Sequence, residues 1–253
     1  WILGWGSPTG LLKVDILNVM GPAMALTAIA GRMTKRRESR AVMFAALAVA
    51  VAMLTPPVRT TSLLNWLPDP IEWYFRPSPG RTNFTLFPWA GFVLAGAVAG
   101  VIIAGVRDAK RAFRVQLGLA AGAVILAFLA YRASLLPTIY ASSEFWTSSP
   151  TFFFLRVACI TLLLPLAFLW DRAPWRGKVS RWSPLETLGR ASLFVYWVHV
   201  EMVYGFFSRP LRRSLRFDTA LAAYAVFTVF LLGLVVLKNR VSGIYLTDSK
   251  SVI

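Results

Sequence analysis

Apolar residues fall into blocks separated by short polar or basic connections. Most of these blocks approach ~20 residues, the length that a helix needs to cross the hydrocarbon core of a bilayer. The predicted spans cover residues 11–32, 41–54, 87–106, 112–131, 150–170, 183–205 and 218–237. We therefore predict an all-α fold: a polytopic transmembrane helix bundle with about seven spans, forming a single transmembrane domain over residues 1–253.

Proline and glycine modify this pattern. Thr55-Pro56-Pro57 predicts the end of the second span, because proline lacks the amide hydrogen that a helix needs. Residues 56–85 then form a long non-helical connection rich in proline and aromatic residues, which we interpret as a lid at the membrane interface. The G-x-x-x-G patterns at 96–100 and 118–122 indicate close helix packing.

The distribution of basic residues predicts the orientation. The chain is 57% hydrophobic with a net charge of +16, and most Lys and Arg residues lie in the connections. One set of alternate connections carries twice as many of them as the other. The richer set is 32–40, 107–114, 172–181 and 238–250, and the poorer set is 56–85, 132–149 and 209–216. The richer set is predicted to be cytoplasmic, with the C-terminus inside and the lid outside.

No nucleic-acid partner is expected. The basic residues concentrate in the connections between spans, and the rule that sets the orientation of membrane helices already explains that position. The basic turn at 209–216 departs from the rule. It either binds lipid or an acidic substrate or is simply tolerated, and we favour tolerance. Membrane lipids are the expected partners.

Cys159 and His199 are the only cysteine and the only histidine in the chain. No intramolecular disulfide and no Cys/His metal cluster is therefore expected. Inside an apolar block, Cys159 is predicted to be a small buried residue.

The block 183–205 carries the candidate catalytic residues. Ser192, Tyr196 and His199 follow the spacing i, i+4, i+7 and share one helix face. His199 has the residue type of a general base, and Tyr196 has that of an orienting or oxyanion-stabilising group. Glu201 points about 200° away from His199. The alternative is a neutral His199 that is hydrogen-bonded within the bundle, and we favour a supporting role.

Three further polar residues leave alternatives open. Arg190 lies near the cytoplasmic end of its predicted span, where it meets a CoA phosphate or extends to lipid headgroups. Asp15 and Asn18 share a face with Pro22, which removes the helical donor to the Asn18 carbonyl. They form either the wall of a polar cavity or the start of a helix at the membrane interface.

Three motifs occur in order: LKVDILNVMG at 12–21, FPWAGF at 87–92 and LGRASLFVYWVH at 188–199. Together they resemble bacterial membrane proteins related to lysosomal heparan-α-glucosaminide N-acetyltransferase, within the transmembrane acyltransferase superfamily. The resemblance implies transfer of an acyl group, usually acetyl, from cytoplasmic acetyl-CoA to a sugar or glycan acceptor. If the chain is a membrane acyltransferase, we expect a cavity lined by Asp15, Asn18 and His199, with Trp89 as a further substrate-cavity residue.

In that family the principal catalytic histidine lies in an early helix, so here it is either upstream of Trp1 or absent. We interpret the chain as the C-terminal part of a longer protein of the bacterial cytoplasmic membrane. Two alternatives stay open, a non-catalytic subunit of a larger membrane complex and a transporter of a sugar or lipid precursor. A homo-oligomer is also compatible with the sequence.

Overall fold

The computed structural model describes residues 13–173, 183–204 and 214–248. Its regular structure is helical, and no strand forms within those ranges. The α-helices are α1 (Ile16–Met33), α2 (Arg37–Thr60), α3 (Asp69–Glu72), α4 (Leu86–Ala104), α5 (Ala109–Ser134), α6 (Pro150–Asp171), α7 (Pro184–Arg190), α8 (Ser192–Tyr204) and α9 (Phe217–Asp248). The all-α prediction is confirmed.

Six of the described helices are long and apolar enough to cross a membrane: α1, α2, α4, α5, α6 and the Phe217–Gly243 part of α9. Among the described residues, only a minority of the positions in each of these helices is buried. Apolar side chains exposed in this way suit contact with lipid. The predicted polytopic transmembrane bundle is thereby confirmed.

The described helices form two compact units, one built from α1 to α6 and the other from α7 to α9. Residues 174–182 and 205–213 lie outside the described ranges. Of the basic groups predicted at 172–181 and 209–216, the structure therefore describes only Arg172 and Arg216. The Arg216 Nε atom lies 3.7 Å from the Asp218 carboxylate. The orientation drawn from the basic residues stays a prediction.

In the first unit, successive long helices run in alternate directions. Helix α2 packs on α4, α5 packs on α6, and α1 packs on α4. The core contains Phe44 and Ala48 of α2 and Leu94 of α4. We call the end with connections 34–36 and 105–108 the basic end, and the end with connections 61–85 and 135–149 the lid end.

At the basic end, Arg37 joins the start of α2 to the end of α4. Its Nε atom donates to the Val101 carbonyl at 2.7 Å, and Nη2 donates to the Ile102 carbonyl at 2.6 Å. The last carbonyls of a helix lack internal partners, and an arginine satisfies them well. Gly105 leaves room for this contact, since a Cβ there would overlap the guanidinium.

The predicted end of the second span at Thr55-Pro56-Pro57 is wrong, because α2 continues through both prolines to Thr60. Pro57 has no N–H to donate to the carbonyl of Met53, four residues earlier. The Tyr140 hydroxyl donates to that carbonyl instead, at 2.9 Å. A tertiary hydrogen bond thus replaces the missing helical one.

The 56–85 connection is also more regular than predicted. It contains the end of α2, a 3₁₀ turn at Ser62–Leu64 and the short helix α3. Arg76 ties these pieces together. Its Nη1 atom donates to Asn65 at 2.9 Å and to Glu72 at 2.6 Å, and Nη2 donates to the Thr61 carbonyl. Whether this connection acts as a lid stays a prediction.

Close helix packing does not occur at the two G-x-x-x-G patterns in the described part of the chain. A Cβ at Gly96, Gly100, Gly118 or Gly122 would meet nothing within 4 Å. The close approach lies at Gly91 instead, where a Cβ would come within 2.8 Å of the Phe153 ring. Gly91 therefore marks the tight contact between α4 and α6.

The continuous helix predicted over 183–205 is wrong, because α7 ends at Arg190 and α8 begins at Ser192. The Ser183 side chain accepts from the Glu186 amide, and Pro184 occupies the first turn, as at a capped helix start. Ala191 donates to the Leu188 carbonyl, which tightens the last turn after Gly189. At 13 residues, α8 is only about 20 Å long.

Cys159 is exposed on α6 and not buried as predicted. Its helix has a mean hydropathy typical of a span, so its outer surface suits lipid. An apolar run in a membrane helix does not distinguish burial in protein from contact with lipid, which explains the error.

Candidate functional site

Two predicted cavity residues lie at the start of α1. Asp15 is the N-cap, and its Oδ1 atom accepts from the Ile16 amide at 2.7 Å. The Asn18 side chain is exposed, and its Nδ2 atom donates to the Lys13 carbonyl at 3.3 Å. Asp15 therefore begins the helix, and a polar cavity wall at Asp15 and Asn18 stays a prediction.

A short parallel bridge fixes this helix start against the 61–85 connection. The Val14 amide donates to the Arg81 carbonyl at 2.9 Å, and the Asn83 amide donates to the Val14 carbonyl at 3.0 Å. Val14 is completely buried. Because Thr82 lies four residues before α4, the bridge places the starts of α1 and α4 side by side at the lid end.

Trp89, the third predicted cavity residue, lies in the first turns of α4. Its ring is half-buried and packs edge to face against Phe84, with centroids 4.7 Å apart. It also contacts Phe92, which in turn packs 4.6 Å from Phe153 of α6. The indole is therefore held in a row of aromatic rings that runs from the lid end into the core.

Arg59 is a candidate that the sequence pattern did not single out. It lies in the last turn of α2, half-buried, and its Nη2 atom donates to the Thr85 hydroxyl at 3.1 Å and to the Phe87 carbonyl at 3.2 Å. Thr85 is buried and also donates to the Phe87 carbonyl, at 2.5 Å. A lone cation at the end of an apolar block was the available signal.

The lid end of the first unit thus combines a carboxylate, an amide, a guanidinium and an indole on the neighbouring ends of α1, α2 and α4. Such groups are suited to hold a polar acceptor through hydrogen bonds and ring stacking. None of these four groups is a histidine, the residue type whose unperturbed pKa lies near neutral.

The predicted catalytic face lies on α8, in the second unit. Ser192 is the exposed first residue of the helix, whereas Tyr196 and His199 are half-buried. The His199 ring lies 6.2 Å from the Phe227 ring of α9. Since α8 is helical from Ser192 to Tyr204, Glu201 projects from a different face than His199.

Arg190 ends α7 and forms a 2.7 Å ion pair with Glu186, one turn earlier. Its side chain is 81% exposed, so the pair is open to solvent or headgroups. The break at Ala191 puts Arg190 on a different helix from Trp197 and Glu201. Either a phosphate or a headgroup is compatible with this position.

The two groups of predicted residues belong to different units. Asp15, Asn18 and Trp89 lie in the first, and Arg190, Ser192, Tyr196 and His199 lie in the second. Because each unit is described by itself, a cavity lined by residues of both groups stays a prediction. Within the described ranges, no three His, Cys, Asp or Glu side chains lie close enough to hold a metal ion.

The fold and its apolar helices define a polytopic membrane protein of the all-α class. The family described as heparan-alpha-glucosaminide N-acetyltransferase, catalytic, matches residues 5–144, which is more than half of the chain. The chain belongs to this family of membrane acyltransferases. The matched segment contains Asp15, Asn18, Arg59 and Trp89. No curated protein and no solved structure matches the chain.

Proposed function

We propose that the protein transfers an acetyl group from cytoplasmic acetyl-CoA to the hydroxyl or amine of a sugar or glycan acceptor. The observation that carries the proposal is the family match over residues 5–144. The matched segment includes the lid end, where α1, α2 and α4 bring polar and aromatic side chains to neighbouring helix ends. We propose that Asp15, Asn18 and Trp89 line the acceptor cavity there.

Acyl transfer from a thioester requires a base that deprotonates the acceptor and donors that stabilise the developing oxyanion. In our proposal His199 supports the base, Tyr196 orients His199 or donates to the oxyanion, and Ser192 completes that face of α8. Arg190 is proposed to meet a phosphate of CoA, which would exchange with Glu186 as its partner. In this proposal a further group of the protein, and not His199, removes the proton from the acceptor.

The direct test uses purified protein in lipid nanodiscs with radiolabelled acetyl-CoA and a glucosamine oligosaccharide as acceptor. We expect acetyl-CoA to bind and label to reach the sugar. If His199 is a supporting group, His199→Gln lowers the transfer rate by less than the ~100-fold typical of losing a general base, and leaves acetyl-CoA binding intact. A protein that neither binds acetyl-CoA nor transfers label contradicts the proposal.

We also propose that the basic end is cytoplasmic and the lid end is outside, in the bacterial cytoplasmic membrane. Ser39 near the basic end and Ser142 at the lid end are both exposed and supply a matched pair of test positions. In a Cys159→Ser background, an impermeant maleimide should label Ser142→Cys in intact cells. Ser39→Cys should react only after permeabilisation, and the reverse pattern would invert the proposed orientation.

A further inference from the structure

A cavity of about 510 Å³ lies at the lid end, between the last turns of α5, the first turns of α6 and the 135–149 connection. Met53 of α2 completes its wall. Its volume falls within the range of pockets that hold small molecules. Neither the family match nor the proposed acyl transfer assigns a role to it.

The inner part of the cavity is apolar. Leu126 and Leu129 of α5 and Phe154 of α6 line it. Leu126 precedes the end of α5 at Ser134 by two turns, so the cavity extends about 12 Å along the helix from that end. Because α5 and α6 are both candidate spans, this part lies at a depth suited to a hydrocarbon chain.

The outer part carries hydroxyl groups. They belong to Ser134, Thr138, Tyr140, Ser143, Ser149 and Thr151. Ser149 and Thr151 lie 2.7 Å apart and share one hydrogen bond, so one of the two hydroxyl hydrogens is left to donate elsewhere. The Thr138 oxygen accepts from the Tyr140 amide, which likewise leaves its hydroxyl hydrogen for another acceptor.

No Lys, Arg, His, Asp or Glu is among the residues that line this described cavity. A charged head group would lose water there without gaining an opposite charge, which is unfavourable. An uncharged head with ester or hydroxyl oxygens would accept from the rim instead. The lining therefore favours an uncharged ligand, in addition to one whose shape fits the cavity.

The wall of the cavity is held by contacts on both sides. The hydrogen bond from the Tyr140 hydroxyl to the Met53 carbonyl ties the connection to α2. Phe145 packs against Trp146 and Phe152, with ring centroids 5.2 and 5.0 Å apart. Ala130 is buried in the wall. These contacts form the cavity without a ligand, which lowers the cost of binding.

We propose that this cavity binds a neutral single-chain amphiphile, with its hydrocarbon chain along Leu126 and Leu129 and its ester or hydroxyl head at the Ser149–Thr151 rim. A monoacylglycerol is the simplest ligand of this class. The site is independent of the acyl transfer proposed above, because its ligand is recognised by the first unit alone, through residues that the proposed reaction does not use.

The test uses the full chain in nanodiscs and a monoacylglycerol with a diazirine in its acyl chain. Saturable labelling is expected on peptides within residues 126–154, and unlabelled monoacylglycerol should displace the probe. The fatty acid of the same chain length, which is anionic, should compete about tenfold less well, equivalent to about 1.4 kcal/mol. Equal competition by the fatty acid would overturn the proposal.

Variants separate the cavity from the general lipid surface. Ala133 is an exposed α5 residue that lines the cavity, and Ala121 is an exposed residue of the same helix outside it. Ala133→Phe displaces roughly two methylene groups of the chain and should reduce labelling about tenfold, whereas Ala121→Phe should not. Equal labelling of both variants would identify ordinary boundary lipid and overturn the proposal.

A second, more conservative variant tests the proposal even if Ala133→Phe does not fold. Thr151→Val keeps the shape of the side chain and removes its hydroxyl from the rim. Its unfolding temperature should stay near that of the native chain, while monoacylglycerol competes severalfold less well, as expected for one lost hydrogen bond of about 1 kcal/mol. Unchanged competition by a folded Thr151→Val protein would overturn the assignment of the head group to this rim.

Discussion

Gly91→Ala is expected to lower the free energy of unfolding by about 1–3 kcal/mol relative to Gly96→Ala on the same helix. A Cβ at Gly91 would lie 2.8 and 2.9 Å from two atoms of the Phe153 ring and 3.4 Å from Val51. Phe153 is itself 3% exposed and packs against Phe92 and Phe154, so its ring has little space to move.

The comparison with Gly96 removes the effect of helix propensity. Both substitutions gain the roughly 1 kcal/mol by which alanine exceeds glycine in a helix, but nothing lies within 4 Å of a Cβ at Gly96. Thermal or denaturant unfolding in one detergent measures the difference. Phe153→Leu should restore part of the stability of Gly91→Ala. Equal stability of the two alanine variants would contradict the described contact of α4 with α6.

This contact also shows what the sequence did and did not predict. The motif FPWAGF carried the family resemblance and contains Gly91, but no pattern in it pointed to close packing. The G-x-x-x-G patterns did, yet their glycines face open space in the described structure. Close approach depends on which side chain lies opposite, here Phe153 from about 60 residues later. Spacing within one helix does not contain that information.

The helical spans themselves were predictable, because their length and hydropathy follow from the thickness of the bilayer. Their ends were less so. The sequence predicted a continuous helix at 183–205, where a break at Ala191 separates α7 from α8. Ser183 and Pro184 did carry a helix-start signal, whereas the break follows only from local backbone geometry near Gly189.

The sequence predicted individual residues of the candidate site but not which of them lie next to each other. Trp89 and the start of α1 at Asp15 lie at neighbouring helix ends because Val14 pairs with Thr82, a contact between segments almost 70 residues apart. Arg59 was missed for the same reason. Its role at the lid end depends on Thr85 and on the Phe87 carbonyl, which the sequence does not place beside it.

The hydrogen bond between Tyr140 and Met53 leads to the second main prediction. Tyr140→Phe should lower the free energy of unfolding by about 1–3 kcal/mol, because it leaves the Met53 carbonyl without the donor that replaces the Pro57 amide. This carbonyl lies in a candidate span, where water is scarce and an unsatisfied backbone group is costly. Burial raises the pKa of the Tyr140 phenol, so its hydroxyl remains protonated at neutral pH.

A raised pKa in the folded state also fixes the direction of the pH dependence. The contribution of Tyr140 to stability is fully present below the ordinary tyrosine pKa of about 10 and is lost as the pH rises through the higher folded-state value. The difference in unfolding free energy between the native chain and Tyr140→Phe should therefore be constant from pH 6 to about 9 and shrink only at more alkaline pH.

A double-mutant cycle with Pro57 isolates the cause. Pro57→Ala restores an amide hydrogen that can donate to the Met53 carbonyl within α2, so Tyr140→Phe should cost about 1 kcal/mol less in that background. Tyr131→Phe, at an exposed tyrosine of α5, is the matched control and should be nearly neutral in both backgrounds. If Tyr140→Phe costs the same with and without Pro57, the hydroxyl stabilises the connection alone. In that case the passage of α2 through two prolines depends on the packing of Thr55 and Pro56, which are both fully buried.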